Sequence, residues 1–180
     1  LSTFFTTNYI WRDIVTAYSA IQASASYAYG NTGFALNFWS SYGTKGKSND
    51  LEISTTISYT KSFGKLLNAY VGWVYYLAPI LESTEGYVYD TNFSESFLGI
   101  NSSVFLQPSI ALFRDNNNAF YSNISLTKNI SFRGQTIAAV NTSLGYRFNH
   151  EVNAENGWRD LNMSLYIPLR TKEMTIVFVS

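Results

Sequence analysis

Charged side chains are scarce in this chain, and the positions of the few that remain could carry chemistry. Only 13% of the 180 residues are charged, whereas 17% are aromatic. Along extended strands, side chains alternate between two faces, and this alternation predicts that a group of charges gathers on the polar faces near one common end of the strands. The predicted cluster consists of Arg12, Glu52, Glu95, Arg114, Asp115 and Asp160.

Three kinds of chemistry fit such a cluster. Half-buried charges must be paired, so Arg12 with Glu52 or Glu95 would fix the register of neighbouring strands, and this is the default interpretation. A ring of charges inside a barrel would instead select the solutes that pass through it. Two neighbouring carboxyl groups would, thirdly, transfer protons to or from a substrate. The sequence leaves these three alternatives open.

The other residues with catalytic or metal-binding chemistry give weaker signals. His150 is the only histidine. It lies in the segment FNHEVNAENG, which we predict to be a loop, so a Ser-His-acid hydrolase is a minor alternative. The absence of cysteine excludes a disulfide framework and a thiolate metal site, and a single histidine argues against zinc. Asp115–Asn118 lacks the ligand spacing of a calcium loop and is interpreted as a polar turn. We therefore expect no catalytic residues, no metal and no cofactor.

A two-residue hydrophobic period dominates the chain and predicts strands rather than helices. In segment 51–60, for example, Leu51, Ile53 and Ile57 share one face, and Glu52 and Ser54 the other. About eleven strands follow from this period, most of them close to the length of a tilted membrane strand and longer than typical globular strands. The predicted spans are 2–12, 20–30, 33–42, 50–62, 66–77, 92–103, 106–115, 118–128, 135–148, 157–168 and 173–180.

The connections between these strands alternate between long and short. Segments 13–19, 43–49, 78–91 and 149–156 are long, whereas the connections at 31–32 and 64–65 are tight. Outer-membrane barrels have long external loops and short periplasmic turns. Bacterial barrels also have even strand numbers, so we expect a single domain over 1–180 that lacks its last strand, with about 12 strands in the full protein and ten as the alternative.

The composition favours a membrane barrel over a soluble sandwich. Neutral Asn, Ser and Thr replace charged residues on the polar face, and large rings recur on the apolar face, where they would form aromatic girdles at the membrane interfaces. The predicted girdle residues are Tyr9, Trp11, Tyr27, Tyr59, Trp73, Tyr75 and Tyr146. The net charge is zero and no basic patch suggests nucleic acid, so the expected partner is outer-membrane lipid. A soluble lipocalin-like carrier is the alternative, although it would expose an apolar band to water.

Several short motifs resemble a family of uncharacterised Gram-negative outer-membrane proteins. Members begin with Thr/Ser-Asp-Tyr-x-Trp/Phe-Arg-Gly, and the corresponding segment here is TNYIWRD, with Asn8 and Asp13 replacing the family's Asp and Gly. The later motifs correspond to Gly33–Ser40, Leu51–Tyr59, Tyr75–Pro79 and Phe93–Gly99. The resemblance implies a β-barrel of the bacterial outer membrane and no established activity.

These observations together predict an all-β, antiparallel, up-and-down transmembrane β-barrel that is not an enzyme. The expected function is a structural or accessory-subunit role in an outer-membrane assembly, with other outer-membrane proteins as further partners. Barrels of this size leave little free bore, which supports the structural role. The alternative is a small passive channel or uptake pore whose charged, extracellular end acts as its filter.

Overall fold

The computed structural model describes residues 2–6, 9–11, 14–17, 19–45, 51–77, 92–116, 118–133, 135–148, 156–170 and 175–178. Within these ranges, side chains are described for 20–43, 51–77, 93–116, 118–133, 135–148 and 156–165. All regular structure in the described residues is β-strand, and no described segment is helical. The all-β class predicted from the two-residue period is therefore confirmed.

Thirteen strands are present in the described part of the chain. Their bounds are β1 Ser2–Thr6, β2 Tyr9–Trp11, β3 Ile14–Ala17, β4 Ser19–Ala28, β5 Phe34–Lys45, β6 Leu51–Phe63, β7 Leu67–Leu77, β8 Asn92–Ser102, β9 Ser109–Asp115, β10 Phe120–Phe132, β11 Gln135–Phe148, β12 Gly157–Arg170 and β13 Thr175–Phe178.

Eleven of these strands form one antiparallel sheet, which is curled into a half-barrel. The spatial order is β1, then β4 to β13 in sequence, so consecutive strands from β4 to β13 pair with one another and β4 also pairs with β1. This is the up-and-down arrangement predicted from the sequence, and it is consistent with a β-barrel. The curl gives the sheet a concave face and a convex face.

The first predicted strand is shorter in the structure than in the sequence prediction. The strand expected over 2–12 ends at Thr6, where β1 ends, and β1 pairs with β4. Tyr9 and Trp11 lie in β2, which pairs with β3 as a separate two-stranded hairpin, so the loop expected over 13–19 contains β3. A two-residue period fixes which residues share a face but not which strand they pair with, and a hairpin satisfies it as well as a long strand does.

The two ends of the sheet differ in their connections. We call the end with connections 46–50, 78–91, 116–119 and 149–156 the loop end, and the end with connections 29–33, 64–66, 103–108 and 133–134 the turn end. At 64–66 three residues join two long strands, and Gly64 adopts a φ of 69° that suits glycine and strains other residues. The longest connections, 78–91 and 149–156, lie at the loop end and the shortest, 64–66 and 133–134, at the turn end. The connection after β8, predicted to be short, has six residues and is longer than the four-residue connection 116–119 at the loop end.

The strand register places most exposed apolar side chains on one face of the sheet and most small polar side chains on the other. The paired residues Ile57 and Trp73, and also Val71 and Leu98, lie on the convex face and are exposed. Between them along the same strands, serines, threonines, asparagines and glycines lie on the concave face. The concave face thus carries small polar residues, several aromatic rings and a group of charged residues near one end, whereas the convex face presents large apolar side chains outward.

Candidate functional site

A cluster of charged and tyrosine side chains occupies the concave face next to the loop end. Each member lies within the first or last few residues of its strand, and the register places all of them on the same face. We call this the loop-end cluster, and it consists of Glu52, Tyr76, Glu95, Asp115, Tyr121, Arg147 and Asp160. Because neighbouring strands run in opposite directions, the first residues of β6, β8, β10 and β12 and the last residues of β7, β9 and β11 meet at one end of the sheet.

Glu95 is the most deeply buried member, with 2% of its surface exposed. The hydroxyl of Tyr76, on the neighbouring strand β7, donates a hydrogen bond to Glu95 Oε2 at 3.2 Å. The Tyr76 ring is stacked on Phe93 with a centroid distance of 4.4 Å, which fixes the direction of that hydroxyl. Burial removes the water that would otherwise hydrate the carboxylate, so a buried carboxylate requires hydrogen-bond donors from the protein.

Asp115 lies directly opposite Glu95 in the pairing of β8 and β9. Its Oδ1 accepts a hydrogen bond from the backbone N–H of Ala119 at 2.9 Å, so this carboxylate also closes the connection between β9 and β10. Two acids in directly opposed positions repel each other when both are charged. The pair therefore depends on donors and cations nearby.

Asp160 forms a second hydrogen-bonded group in the cluster. Tyr121 Oη donates to Asp160 Oδ2 at 2.9 Å, and Asn162 Nδ2 donates to Asp160 Oδ1 at 2.7 Å. Gly145 lies directly beneath the first of these bonds, and a Cβ atom at this position would collide with both Tyr121 Oη and Asp160 Oδ2. The hydrogen bond between β10 and β12 thus exists because the intervening strand β11 has a glycine there.

Two arginines that the sequence prediction missed belong to this region. Arg147 is opposite Tyr121 and is 8% exposed, so the cluster contains a buried cation beside its acids. Extending the alternation of segment 137–146 by one residue would have placed Arg147 on the polar face. Arg159 is the extra residue of a β-bulge, because Gly145 pairs with Asp160 and Tyr146 with Trp158. No sequence pattern signals that bulge.

Aromatic rings on the concave face lie against the sheet instead of standing across the interior. A Cβ at Gly72 would collide with the ring of Phe97, and one at Gly99 would collide with Tyr70, so each ring covers a glycine on the next strand. The rings also follow one another in tilted contacts at centroid distances of 5.7 to 6.3 Å. This aromatic row runs through Tyr70, Phe97, Phe113 and Tyr121.

The structure brings together four of the six residues that the sequence predicted as a charge cluster. These four, Glu52, Glu95, Asp115 and Asp160, share the concave face at the loop end. Arg114 does not join them: it lies on the convex face, is exposed, hydrogen-bonds to Asn118 and lies 5.8 Å from the centre of the Phe120 ring. Neighbouring residues of a strand face opposite sides, so Arg114 and Asp115 cannot both face inward.

Arg12 and His150 lie outside the described residues. Of the predicted girdle, Tyr27, Tyr59, Trp73, Tyr75 and Tyr146 all lie on the convex face. Tyr9 and Trp11 belong to the β2–β3 hairpin, where side chains are not among those described.

The geometry of the loop-end cluster suits holding neighbouring strands together. Tyr76 and Tyr121 each connect two strands through a carboxylate, and Arg147 supplies positive charge among the acids. Among the described residues, no group of His, Cys, Asp and Glu has the arrangement of a metal site. No helix in this part of the chain is long and apolar enough to span a membrane.

Comparisons with known proteins found no match. No family model matches the chain, and neither curated proteins nor solved structures show significant similarity to it. The resemblance to the outer-membrane family remains an expectation from the short motifs.

Proposed function

We propose that the chain forms a transmembrane β-barrel of a bacterial outer membrane. The observation that carries this proposal is the convex face, where large apolar side chains are exposed on β4 to β10 and on β12, and where those of β11, such as Leu144 and Tyr146, are half-exposed. A water-soluble protein rarely exposes a continuous apolar surface of this extent. Lipid is the environment in which such a surface is stable.

The dimensions of the apolar face support the same proposal. On β5 the convex face has Phe34 near the turn end and Tyr42 near the loop end, and on β10 it has Phe132 and Phe120 at the corresponding ends. At about 3.3 Å per residue and a tilt of about 40°, these pairs are separated by about 20 and about 30 Å along the barrel axis. An outer-membrane barrel has an apolar band about 25 Å tall between its aromatic girdles.

Within the membrane, we propose a structural or accessory-subunit role for the barrel. This role is supported by burial on the concave face, which is uneven along the strands. Near the loop end Ser41, Ser54, Glu95 and Arg147 are buried, whereas near the turn end Thr60, Ser62, Asn129 and Ser131 are exposed. The interior is therefore packed toward the loop end and open toward the turn end, which disfavours free passage of solutes.

A narrow passive channel is the second candidate, and a different observation favours it. Phe97 and Tyr70 lie flat over glycines and leave the lumen lined mainly by small neutral polar groups. In this case the loop-end cluster is the constriction, and its acids and arginines select the solutes that pass.

Refolding into lipid vesicles tests the barrel itself. We expect a compact species that resists protease and migrates faster on an unheated gel than after boiling. A chain that stays unfolded in lipid but folds in water without detergent would contradict the proposal and favour the soluble carrier.

Single-channel recording of the folded protein separates the two roles. A closed interior predicts no conductance for the unmodified protein. Tyr76→Phe removes the hydrogen bond to Glu95, and rare channel openings would appear in this variant. Steady conductance of the unmodified protein would overturn the structural role and support the channel.

A further inference from the structure

Charged side chains are divided between the two ends of the sheet. Every acid with a described side chain lies in the loop-end cluster. Four of the seven described cations instead lie near the turn end, all of them exposed, on the convex face or in the turns. We call these four the turn-end basic rim, and they are Lys61, Lys65, Lys128 and Arg133.

Aromatic rings accompany the cations of this rim. Lys128 Nζ lies 4.0 Å from the centre of the Phe105 ring, and the Arg133 guanidinium lies 5.3 Å from the centre of the Phe132 ring. Phe105 lies in the connection between β8 and β9 and is 75% exposed, more than any other large hydrophobic side chain that the structure describes. An outward-facing aromatic ring in contact with a cationic side chain is suited to the boundary between hydrocarbon and charged headgroups.

The rim lies toward the turn-end edge of the apolar face, and on β10 the exposed Ile130 and Phe132 lie closer to the turn end than Lys128 does. Lys61 is opposite Ala69 on the convex face, two residues before the last residue of β6, and Lys128 is opposite Val140 four residues before the end of β10. The apolar residues Val71 and Ile124 lie further toward the loop end on the same face. Flexible lysine side chains at the edge of an apolar band extend toward the interface.

We propose that the turn-end basic rim binds the phosphate groups of anionic phospholipids in the leaflet that surrounds the short turns. This inference rests on the proposed membrane barrel and adds a lipid class and a leaflet to it. In the orientation expected from the sequence, that leaflet is the periplasmic one. The rim has four cations and, among the described residues, no acid near it, which gives it the charge complementary to such headgroups.

Spin-labelled lipids measure this preference directly. The full chain is refolded into phosphatidylcholine vesicles with trace spin-labelled phosphatidylglycerol or phosphatidylcholine, and the motionally restricted fraction is recorded by electron paramagnetic resonance. Each cation at a membrane surface increases anionic-lipid binding by about fivefold at its own site. Averaged over all lipids around the barrel, we expect phosphatidylglycerol to be preferred over phosphatidylcholine by about twofold. The preference should fall between about 0.01 M and about 1 M salt.

Matched variants assign the preference to the rim. The quadruple variant K61Q/K65Q/K128Q/R133Q should lose most of the preference for the anionic lipid. The two double variants K61Q/K65Q and K128Q/R133Q should each lose part of this preference, and they keep the proposal testable if the quadruple variant does not fold. Arg114→Gln is the control, because Arg114 is an exposed convex-face cation at the loop end.

The outcomes separate the two proposals. Equal association of both lipids with a correctly folded barrel, or a full preference in the quadruple variant, would overturn the lipid-binding rim alone. The absence of any restricted lipid and of any heat-modifiable species would overturn the membrane barrel itself.

Discussion

Replacing Gly145 by alanine should break the hydrogen bond that crosses it. The added Cβ would collide with Tyr121 Oη and Asp160 Oδ2, the two atoms of the 2.9 Å bond between β10 and β12. A hydrogen bond to a charged group contributes about 1.5–3 kcal/mol, and overpacking costs about 1–3 kcal/mol. These two costs overlap because one displacement causes both, and the lower backbone entropy of alanine in the unfolded chain offsets about 0.4–1 kcal/mol. We expect a net loss of about 2–3 kcal/mol.

The assay is urea unfolding of the vesicle-refolded protein, followed by tryptophan fluorescence. Gly157→Ala is the matched control, because no atom lies within 4 Å of a Cβ at Gly157, and its unfolding free energy should stay within about 0.5 kcal/mol of the parent. In a Tyr121→Phe background the hydroxyl is already absent, so Gly145→Ala should cost about 1 kcal/mol less there. Equal effects at Gly145 and Gly157, or an unchanged cost without the hydroxyl, would refute the reasoning.

Two further predictions concern the two faces of the sheet. Tyr76→Phe removes the hydrogen-bond donor to buried Glu95 and should lower the unfolding free energy by about 1.5–3 kcal/mol. Tyr75→Phe on the convex face is the control and should change the unfolding free energy little. Equal effects of the two substitutions would contradict the assigned hydrogen bond. Leu98→Arg, in the middle of the apolar band, should cost about 2–4 kcal/mol in a bilayer, and Leu67→Arg at the turn end about 0–1 kcal/mol, as measured by the same unfolding assay. Similar costs at both leucines would argue against a bilayer around the convex face.

The sequence predicts the sheet well because the two-residue period is so regular. Ten of the predicted strands coincide closely with β4 to β13, and the alternation assigns Glu52, Glu95 and Asp160 to the concave face correctly. The period fails at the N-terminal segment, where it cannot distinguish a continuing strand from the β2–β3 hairpin. Pairing partners depend on contacts that the spacing of residues does not encode.

The details of the candidate site are less accessible from the sequence. Arg114 and Asp115 are adjacent, so their common assignment to the cluster contradicted the alternation itself. The bulge that holds Arg159 depends on a register shift between β11 and β12, and the ring-over-glycine contacts depend on which residues become opposed. Both features follow from the three-dimensional register and not from local composition.

The most direct test of the proposed barrel is a cysteine scan along β6. The chain has no cysteine, so single cysteines from Ile53 to Thr60 can be spin-labelled in the vesicle-refolded protein. We predict that labels at 53, 55, 57 and 59 are accessible to oxygen dissolved in lipid, and that labels at 54, 56 and 58 are not, which gives a two-residue alternation. Equal oxygen accessibility of the labels at both sets of positions would contradict a membrane-spanning barrel. So would labels at the convex positions that are accessible only to a water-soluble relaxation agent.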